Sequence, residues 1–352
     1  LRETASDRGE HAGRVLPRRL NRTEYDNTIR DLFGLELKFS EKFPNDGAGG
    51  EGFDNNGETL FLPPILMERY LEAAQEILDA AIITPPLKKT YKVSDFLPPL
   101  SADNTDSREI KPGDEISVIE GIYLTSDYSV KIELLSPEKK NTQVILKAHR
   151  FQLKPLESQT VATDVRLMRG LHSMTLAVPE GEAAVKVRSL NLEERREPVS
   201  KEKKHLHQRI FEVAGKDLPP NRESAQKIIR ALTKKAYRRP LTDHELTQLL
   251  QLYDRAAERN DPYEERIKLA LKAALVSPHF LFRTDAAPEQ PGIQRISDYE
   301  LATRLSYFFW ASMPDAELMQ LADEGKLHQN SILEQQIKRM LADPKARALS
   351  EL

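Results

Sequence analysis

Hydrophobic residues follow a helical period in the outer parts of the chain and alternate with polar residues in its middle. Spacings of three and four residues predict helices over 21–34, 64–83, 222–236, 242–259, 263–276, 297–312, 315–324 and 331–342. Between about residues 88 and 192, apolar and polar positions alternate, as in SDYSVKIELLS, and turn sequences such as KPGD and PEGE separate these runs. The pattern therefore predicts helices, then short strands, then helices again.

Three of the predicted helices begin with the same local sequence. LNRTEY, LTDHEL and ISDYEL each place Asn, Thr or Ser three residues before a Glu, with an apolar residue on either side. This order is a capping box with a hydrophobic staple, in which the first side chain accepts a hydrogen bond from an amide one turn into the helix. The glutamate in turn accepts one from the amide of the cap residue. The three pairs are Asn21/Glu24, Thr242/Glu245 and Ser297/Glu300.

This order of elements predicts an α+β multidomain protein with a helical N-terminal domain, a central antiparallel β-sandwich and a helical C-terminal domain. Roughly eight short strands at this spacing are typical of a sandwich or jelly roll. The predicted segments are a helical domain at 15–87, the β-sandwich at 88–192, a charged linker at 193–221, and helical domains at 222–285 and 293–352.

Composition restricts the classes of function. The 352 residues are 39% hydrophobic and 30% charged, with a formal net charge of -3, so no overall positive field favours nucleic acid. No apolar run approaches the ~18 residues of a membrane span. Cysteine is absent, which excludes disulfides, thiolate metal ligands, thiol nucleophiles and covalent c-type haem attachment within these residues. The sequence starts without Met and stops inside a predicted helix, so we expect a fragment of a longer protein.

A glycine-rich segment, FPNDGAGGEGFDNNGE, matches G-x-G-x-x-G at Gly47, Gly49 and Gly52. A dinucleotide fingerprint needs a buried strand before it and a helix after it, and neither is present, so we reject that interpretation. The oxygen-bearing side chains suit a calcium ion, although their spacing is not that of an EF-hand. The candidate ligands are Asp46, Glu51, Asp54 and Asn55. The alternative is a structured loop that binds nothing.

The predicted sandwich suggests polysaccharide binding. Sugar sites combine exposed aromatic rings, which cover the apolar faces of pyranoses, with polar groups that bind hydroxyls. The candidates are Tyr91, Tyr123 and Tyr128, with Asp127 nearby. Tyr128 also fits an inward position on its strand, so a role in the core stays open for it.

Two motifs that contain histidine predict no site. His205 and His207 are two residues apart, so they would not face each other on a helix, and we interpret their lysine-rich surroundings as a solvated linker. Ser277 and His279 have the residue types of a hydrolase triad but not its geometry, because residues this close cannot generally align a nucleophile with its base.

Long phrases of the chain resemble the planctomycete-specific domain proteins, a family built from domains of unknown function. RRLNRTEYDNTIRDLFGL, FPND…GFDN and PPILMERYLEAAQEIL are similar to one domain of the family. KKAYRRPLTDHELTQLLQLY and LKAALVSPHFLFRTD are similar to a second. ISDYELATRLSYFFWASMPDAELMQLADEGKL and IKRMLADPKARAL resemble a third. The resemblance assigns the three predicted helical domains to this family.

The resemblance implies an exported modular protein, periplasmic or otherwise extracytoplasmic. Such proteins combine these domains with cytochrome c-like segments that carry C-x-x-C-H, and with a carbohydrate-binding-like β-sandwich between the helical parts. The resemblance carries no catalytic residue. Relatives often have cysteines near the positions of Val213 and Ser224, and their absence here suggests a lost disulfide.

Two hypotheses about function follow. In the first, this is a binding and scaffolding portion of an exported protein, with polysaccharide bound by the β-sandwich. In the second, it is part of a haem-dependent redox enzyme whose haem segments lie outside these residues, with cytochrome c-like domains of the same protein as partners. Whether the protein is an enzyme stays open. We expect no nucleic-acid partner, no transmembrane segment, and no cofactor within these residues apart from calcium.

Overall fold

The computed structural model of the protein describes residues 17–44, 63–99, 106–215, 219–283 and 295–351, and the chain folds into two compact units. The helical unit comprises Leu1–Ile83 and Ser200–Leu352, and the β unit comprises Thr84–Val199. The helices are α1 Arg22–Phe33, α2 Pro64–Ala81, α3 Lys201–Phe211, α4 Arg222–Tyr237, α5 Asp243–Glu258, α6 Tyr263–Leu275, α7 Pro278–Leu281, α8 Asp298–Trp310, α9 Ala316–Asp323, α10 Asn330–Ala342 and α11 Ala348–Glu351. The strands are β1 Arg18–Arg19, β2 Lys88–Lys92, β3 Arg108–Ile110, β4 Glu115–Ile122, β5 Ser126–Leu135, β6 Thr142–Leu146, β7 His149–Leu153, β8 Ser158–Leu167, β9 Gly170–Ala177, β10 Val185–Arg195 and β11 Phe282–Arg283.

All three predicted capping boxes close. At the start of α1, the amide of Glu24 donates to Asn21 Oδ1 over 2.8 Å, and the amide of Asn21 donates to Glu24 Oε2 over 3.1 Å. The same reciprocal bonds begin α5 and α8. Helix α1 ends at Gly34, whose φ of 78° is the left-handed conformation that glycine adopts without steric cost.

The N-terminal and C-terminal helices share one hydrophobic core, so the helical segments predicted at 15–87 and 222–285 pack together in one unit. Tyr25 and Ile29 of α1 lie in the same buried cluster as Ile229 of α4, Leu271 of α6 and Phe280 of α7. Strand β1 pairs antiparallel with β11, which joins the two ends of this core through the backbone. A segment with only two helices buries too little apolar surface alone, and the later helices supply the rest.

A second cluster in the helical unit surrounds Trp310, at the end of α8. It contains Leu318 of α9 and Met340 of α10. The indole Nε1–H of Trp310 donates to the backbone oxygen of Met340 over 3.1 Å, so the one polar atom of this buried ring is satisfied.

The segment predicted as a charged linker, 193–221, is largely regular structure. Strand β10 continues to Arg195, and α3 follows. Ser200 caps α3 by accepting from the amide of Lys203 over 3.2 Å. Ile210 is buried, and Leu206 packs against the helical core, so the run of charges is the solvent face of an amphipathic helix.

The β unit contains two antiparallel sheets over one core. One sheet has the order β2-β10-β5-β8, with β3 also paired to β10, and the other has the order β4-β9-β6-β7. Inward side chains of both sheets, such as Val130 and Ile132 of β5 and Val118 of β4, belong to a single buried cluster. The predicted sequence of helices, strands and helices is confirmed, as are the antiparallel sheets. Among the helices of the described ranges, none has the length and apolar character to span a membrane.

Candidate functional site

The residues predicted to bind calcium cannot be placed. Asp46, Glu51, Asp54 and Asn55 lie outside the described residues. Within the described ranges, no group of three or more His, Cys, Asp or Glu side chains could hold a metal ion. The calcium interpretation of the glycine-rich segment therefore stays a prediction.

Two of the tyrosines predicted to contact sugar lie in the core of the β unit. Tyr91 is 3% exposed and Tyr128 is 1% exposed. The Tyr91 hydroxyl donates to the Glu120 carboxylate, and the Tyr128 hydroxyl donates to the backbone oxygen of Leu124 over 2.9 Å. Burial raises the pKa of both phenols, and Glu120 adds to the rise for Tyr91. Neither ring can stack on an external sugar, so this part of the prediction is wrong.

Asp127 and Tyr123 lie nearer to the surface. Asp127 is exposed on β5, and its carboxylate pairs with Arg166 on β8 over 3.2 Å. An exposed ion pair of this kind contributes about 0–1 kcal/mol, so the contact does not restrict Asp127 strongly. Tyr123 is half-buried just beyond the end of β4, on the other sheet.

The outward side of the second sheet carries apolar residues that solvent reaches. On β4 and β9, Ile119 lies opposite Ser173, and Gly121 lies opposite Leu171. Directly opposed residues of an antiparallel pair share one face, and these positions face away from the core. Ile119 is 54% exposed and Leu171 is 80% exposed. We call this surface, formed by Ile119, Gly121, Tyr123 and Leu171, the exposed face.

Gly121 allows the ring of Tyr123 to lie against this surface. A Cβ built on Gly121 would be 3.8 Å from the Tyr123 hydroxyl oxygen and 3.9 Å from Cζ. The hydroxyl end of the ring therefore lies over the glycine, across the strand pair from Leu171. The result is a low apolar surface with an aromatic ring at one end.

Hydroxyl groups continue the same side of the sheet. Ser117 lies opposite Thr175, and the hydroxyls of Ser173 and Thr175 are hydrogen-bonded over 3.1 Å. Further along, β9 pairs with β6 and β6 with β7, which places Arg150 and Gln152 on this side of the sheet. Both side chains are exposed. The surface thus changes from apolar to hydroxyl and then to strongly polar along the sheet.

Among the described strands of this sheet, no two carboxylates lie together on the outward side. Glycoside hydrolysis uses two carboxyl groups that flank one bond. In β4, β9, β6 and β7, the carboxylates are Glu115 and Glu120, both on β4. Glu115 is exposed at the start of the strand, whereas Glu120 binds Tyr91 and pairs with Lys89.

Ile119 and Leu171, at the centre of this surface, were not predicted, because sugar contacts were expected from aromatic residues. A different signal is present in the sequence. In β4 the inward positions are Ile116, Val118 and Ile122. Ile119 is therefore an apolar residue on the outward side, where polar residues are expected. On β9, the outward positions Ser173 and Thr175 are polar, whereas the outward position Leu171 is apolar. Such out-of-phase apolar residues are the sequence signal by which this exposed apolar surface could have been found.

The helical segments match models of three protein families. PSD3, described as a protein of unknown function (DUF1587), matches residues 18–83. PSD5, a protein of unknown function (DUF1595), matches residues 224–285, and PSD4, a protein of unknown function (DUF1592), matches residues 296–351. These matches confirm that the quoted phrases belong to a set of domains of unknown function. Comparison with curated proteins gave no match.

Some solved structures are similar to about a third of the chain. The CBM36-1 domain of a multidomain xylanase from the hindgut metagenome of Trinervitermes trinervoides is 11% identical, with 32% of this chain and 100% of that chain covered and a TM-score of 0.26. The mannan binding module from Man5C, in bound conformation, is 17% identical, with 31% and 99% covered and a TM-score of 0.24. CBM35 from Cellvibrio japonicus Abf62 is 12% identical, with 30% and 92% covered and a TM-score of 0.23. Scores this low carry no argument about the ligand.

Proposed function

We propose that this protein, which carries the PSD3, PSD5 and PSD4 domains, binds polysaccharide through the exposed face of its β unit. The observation that supports this is the outward position of Ile119 and Leu171, which leaves 54% and 80% of these side chains open to solvent. A sheet face that only contacts water gains nothing from apolar residues out of phase with its core, whereas a binding surface does.

The chemistry of the surface suits a chain of pyranose rings. A pyranose presents an apolar C–H face and a rim of hydroxyls, which match an apolar surface bordered by hydrogen-bonding groups. Leu171 and the ring of Tyr123 would cover the C–H face of one sugar. Ser173 and Thr175 lie two and four residues beyond Leu171 on β9, roughly 7 and 13 Å along the strand. They would bind hydroxyls of the neighbouring sugars.

Affinity electrophoresis of the whole chain through gels that contain soluble xylan, mannan or β-glucan tests this function. Retardation of the wild-type chain by at least one of these polysaccharides is the expected result. Leu171→Ser should weaken the interaction about tenfold, because a leucine side chain contributes ~1.5–3 kcal/mol when it is fully covered. Leu156→Ser is the matched control, since Leu156 is 58% exposed elsewhere on the β unit.

Equal mobility of the Leu171→Ser and Leu156→Ser chains in every gel would show that the exposed face is not the binding surface. Absence of retardation of the wild-type chain in all gels would contradict polysaccharide binding itself.

A further inference from the structure

A cavity lies inside the helical unit, separate from the exposed face of the β unit. Its volume is about 530 Å³, which is within the range of small-molecule sites. Helix α3 contributes His207 and Phe211, the first turn of α4 contributes Ser224, and the first turn of α6 contributes Tyr263 and Glu264. The turn Glu212–Ala214 also lines the cavity, so four stretches of backbone, from α3, this turn, α4 and α6, converge on one space.

One wall of the cavity is aromatic and held in place. The rings of His207 and Phe211 have centroids 4.3 Å apart, and those of Phe211 and Tyr263 are 6.0 Å apart. The Tyr263 hydroxyl is hydrogen-bonded to Ser224 Oγ over 2.6 Å, so the tyrosine ring is anchored to α4. These contacts define a preformed apolar surface, which a ligand can contact without ordering the side chains first.

His207 belongs to this wall as a neutral ring. Its Nδ1 accepts a hydrogen bond from the amide of Ile83 over 3.2 Å, which leaves the ring proton on Nε2. Burial lowers the pKa of His207, and the neighbouring Lys268 and Lys203 lower it further. At neutral pH the imidazole therefore contributes no positive charge to the cavity.

The charge of the cavity wall is negative. Its described lining residues include Glu212 and Glu264, and none of those described residues is lysine or arginine. Glu212 accepts a hydrogen bond from the side-chain amide of Gln208 over 2.8 Å. An anionic ligand would meet two carboxylates here without a counter-charge from the wall, so the wall disfavours anions.

Glu264 is a half-buried carboxylate that forms no ion pair among the described residues, although Lys268 and Arg266 act on it electrostatically. Its hydrogen bond is to the amide of its own residue, and it takes part in no ion pair there. Lys268, which acts on it electrostatically, is bound instead to Glu265 over 2.8 Å and to Asp79 over 2.9 Å. Taking a carboxylate partly out of water without a partner is costly, and a cation in the cavity would offset that cost.

We propose that this cavity binds an organic ammonium ion, with its positive charge beside Glu264 and its apolar groups against Phe211 and Tyr263. Aromatic faces attract alkylammonium groups through their negative quadrupole, and a half-buried carboxylate adds direct Coulombic attraction. A preformed aromatic wall and two carboxylates, with no basic side chain among the described lining residues, favour a cation over a neutral molecule of the same shape. This proposal does not depend on polysaccharide binding by the β unit.

Isothermal titration of the whole chain with choline, and with its neutral carbon isostere 3,3-dimethylbutan-1-ol, tests the proposal. The two probes have nearly the same shape, so their comparison isolates the charge. Choline is expected to bind at least tenfold more tightly than the isostere. Equal affinity for the two probes, or no binding of choline, would overturn the proposal without the use of any variant.

Two variants locate the site. Glu264→Gln keeps the shape of the side chain and should weaken choline binding at least tenfold, with affinity for the isostere unchanged. Glu258→Gln, at the exposed end of α5, is the matched control and should bind choline like the wild-type chain. Thermal unfolding of each variant, followed by circular dichroism, verifies the fold. Full choline affinity in a folded Glu264→Gln chain would refute the assignment of this cavity.

Discussion

Arg238 follows the end of α4 with a left-handed backbone, φ 59°, and a side chain that is almost entirely buried. Its guanidinium donates to the backbone oxygens of His279, Phe280 and Phe282 over 2.7, 3.2 and 2.9 Å. A further hydrogen bond reaches the Tyr307 hydroxyl over 3.2 Å. The carbonyls at the end of a helix have no partner within the helix, so one planar cation satisfies several of them at once. A single residue thus joins α4 to α7, β11 and α8.

Arg238→Lys should reduce the free energy of unfolding by about 2–3 kcal/mol. Lysine keeps the charge, but its ammonium cannot present the planar fork, so buried carbonyls lose their donors. The backbone strain at this position is the same for both residues and does not contribute to the difference. Urea unfolding measures the change, with Arg230→Lys on the exposed side of α4 as the control. A loss as small as that of the control would show that the carbonyls are satisfied in another way.

At the scale of the element, the capping box of α5 is reinforced by two further groups. Glu245 accepts two hydrogen bonds from Arg239, over 2.7 and 3.0 Å, and lies 3.1 Å from His279 Nε2. The Arg239 guanidinium is the largest cause that lowers the pKa of Glu245, to about 2. Ser277 and His279 occupy the first turn of α7, where the serine hydroxyl accepts from the histidine amide over 3.3 Å. Ser277 is therefore a helix cap.

The lowered pKa of Glu245 predicts a pH dependence of stability. A carboxylate with a folded-state pKa below its ordinary value of 4.5 adds stability above that value, and this stability is lost as the pH falls towards 2. Glu245→Gln should therefore cost roughly 1–2 kcal/mol at pH 7, after allowance for solvent screening, and close to nothing near pH 2. Urea unfolding across this pH range provides the measurement. Glu258→Gln should show no such trend, and a Glu245→Gln deficit that stayed constant with pH would rule out this account.

At the scale of the whole molecule, the division of the chain does not follow sequence order. The first helices join the last ones around one core, and the β unit is inserted between these parts. Phe280 of α7 is fully buried, and its ring centroid is 5.9 Å from that of Tyr25 in α1. This contact couples residues that are far apart in the chain.

Phe280→Leu should therefore destabilise the whole helical unit by about 1–2 kcal/mol, through a cavity in the shared core. Hydrogen exchange followed by mass spectrometry should show faster exchange in α1 and α2 together with α4, α6 and α7. Val144→Ala, in the core of the β unit, is the matched control and should accelerate exchange in the sheets. Exchange in α1 and α2 that does not respond to Phe280→Leu would restore two independent helical domains.

Export, an extracytoplasmic location and partnership with cytochrome c-like domains stay predictions of the sequence resemblance. The same holds for the haem-dependent redox hypothesis. At this scale we propose one surface for a polysaccharide and one cavity for an organic cation, each testable in the same chain.

Local features were readable from the sequence because the interactions behind them are local. Asn21 and Glu24 are three residues apart, so a capping box needs no knowledge of the rest of the fold. The buried side of β5 was also predictable, because the alternation of apolar and polar residues within one strand indicates which side faces the core. The same reasoning allowed Tyr128 an inward position, and there it lies.

Tertiary structure alone decided which of these elements meet. Tyr91 is buried because a second sheet covers its side of β2, and nothing within its own strand specifies that. The charges of 193–221 resembled a linker, but the apolar side of α3 contacts helices from both ends of the chain. The cavity proposed to bind an ammonium ion combines residues from α3, α4 and α6, and Lys268 beside it pairs with Glu265. Such contacts depend on the packing of distant segments, because burial is a property of the assembled core and not of any short stretch of sequence.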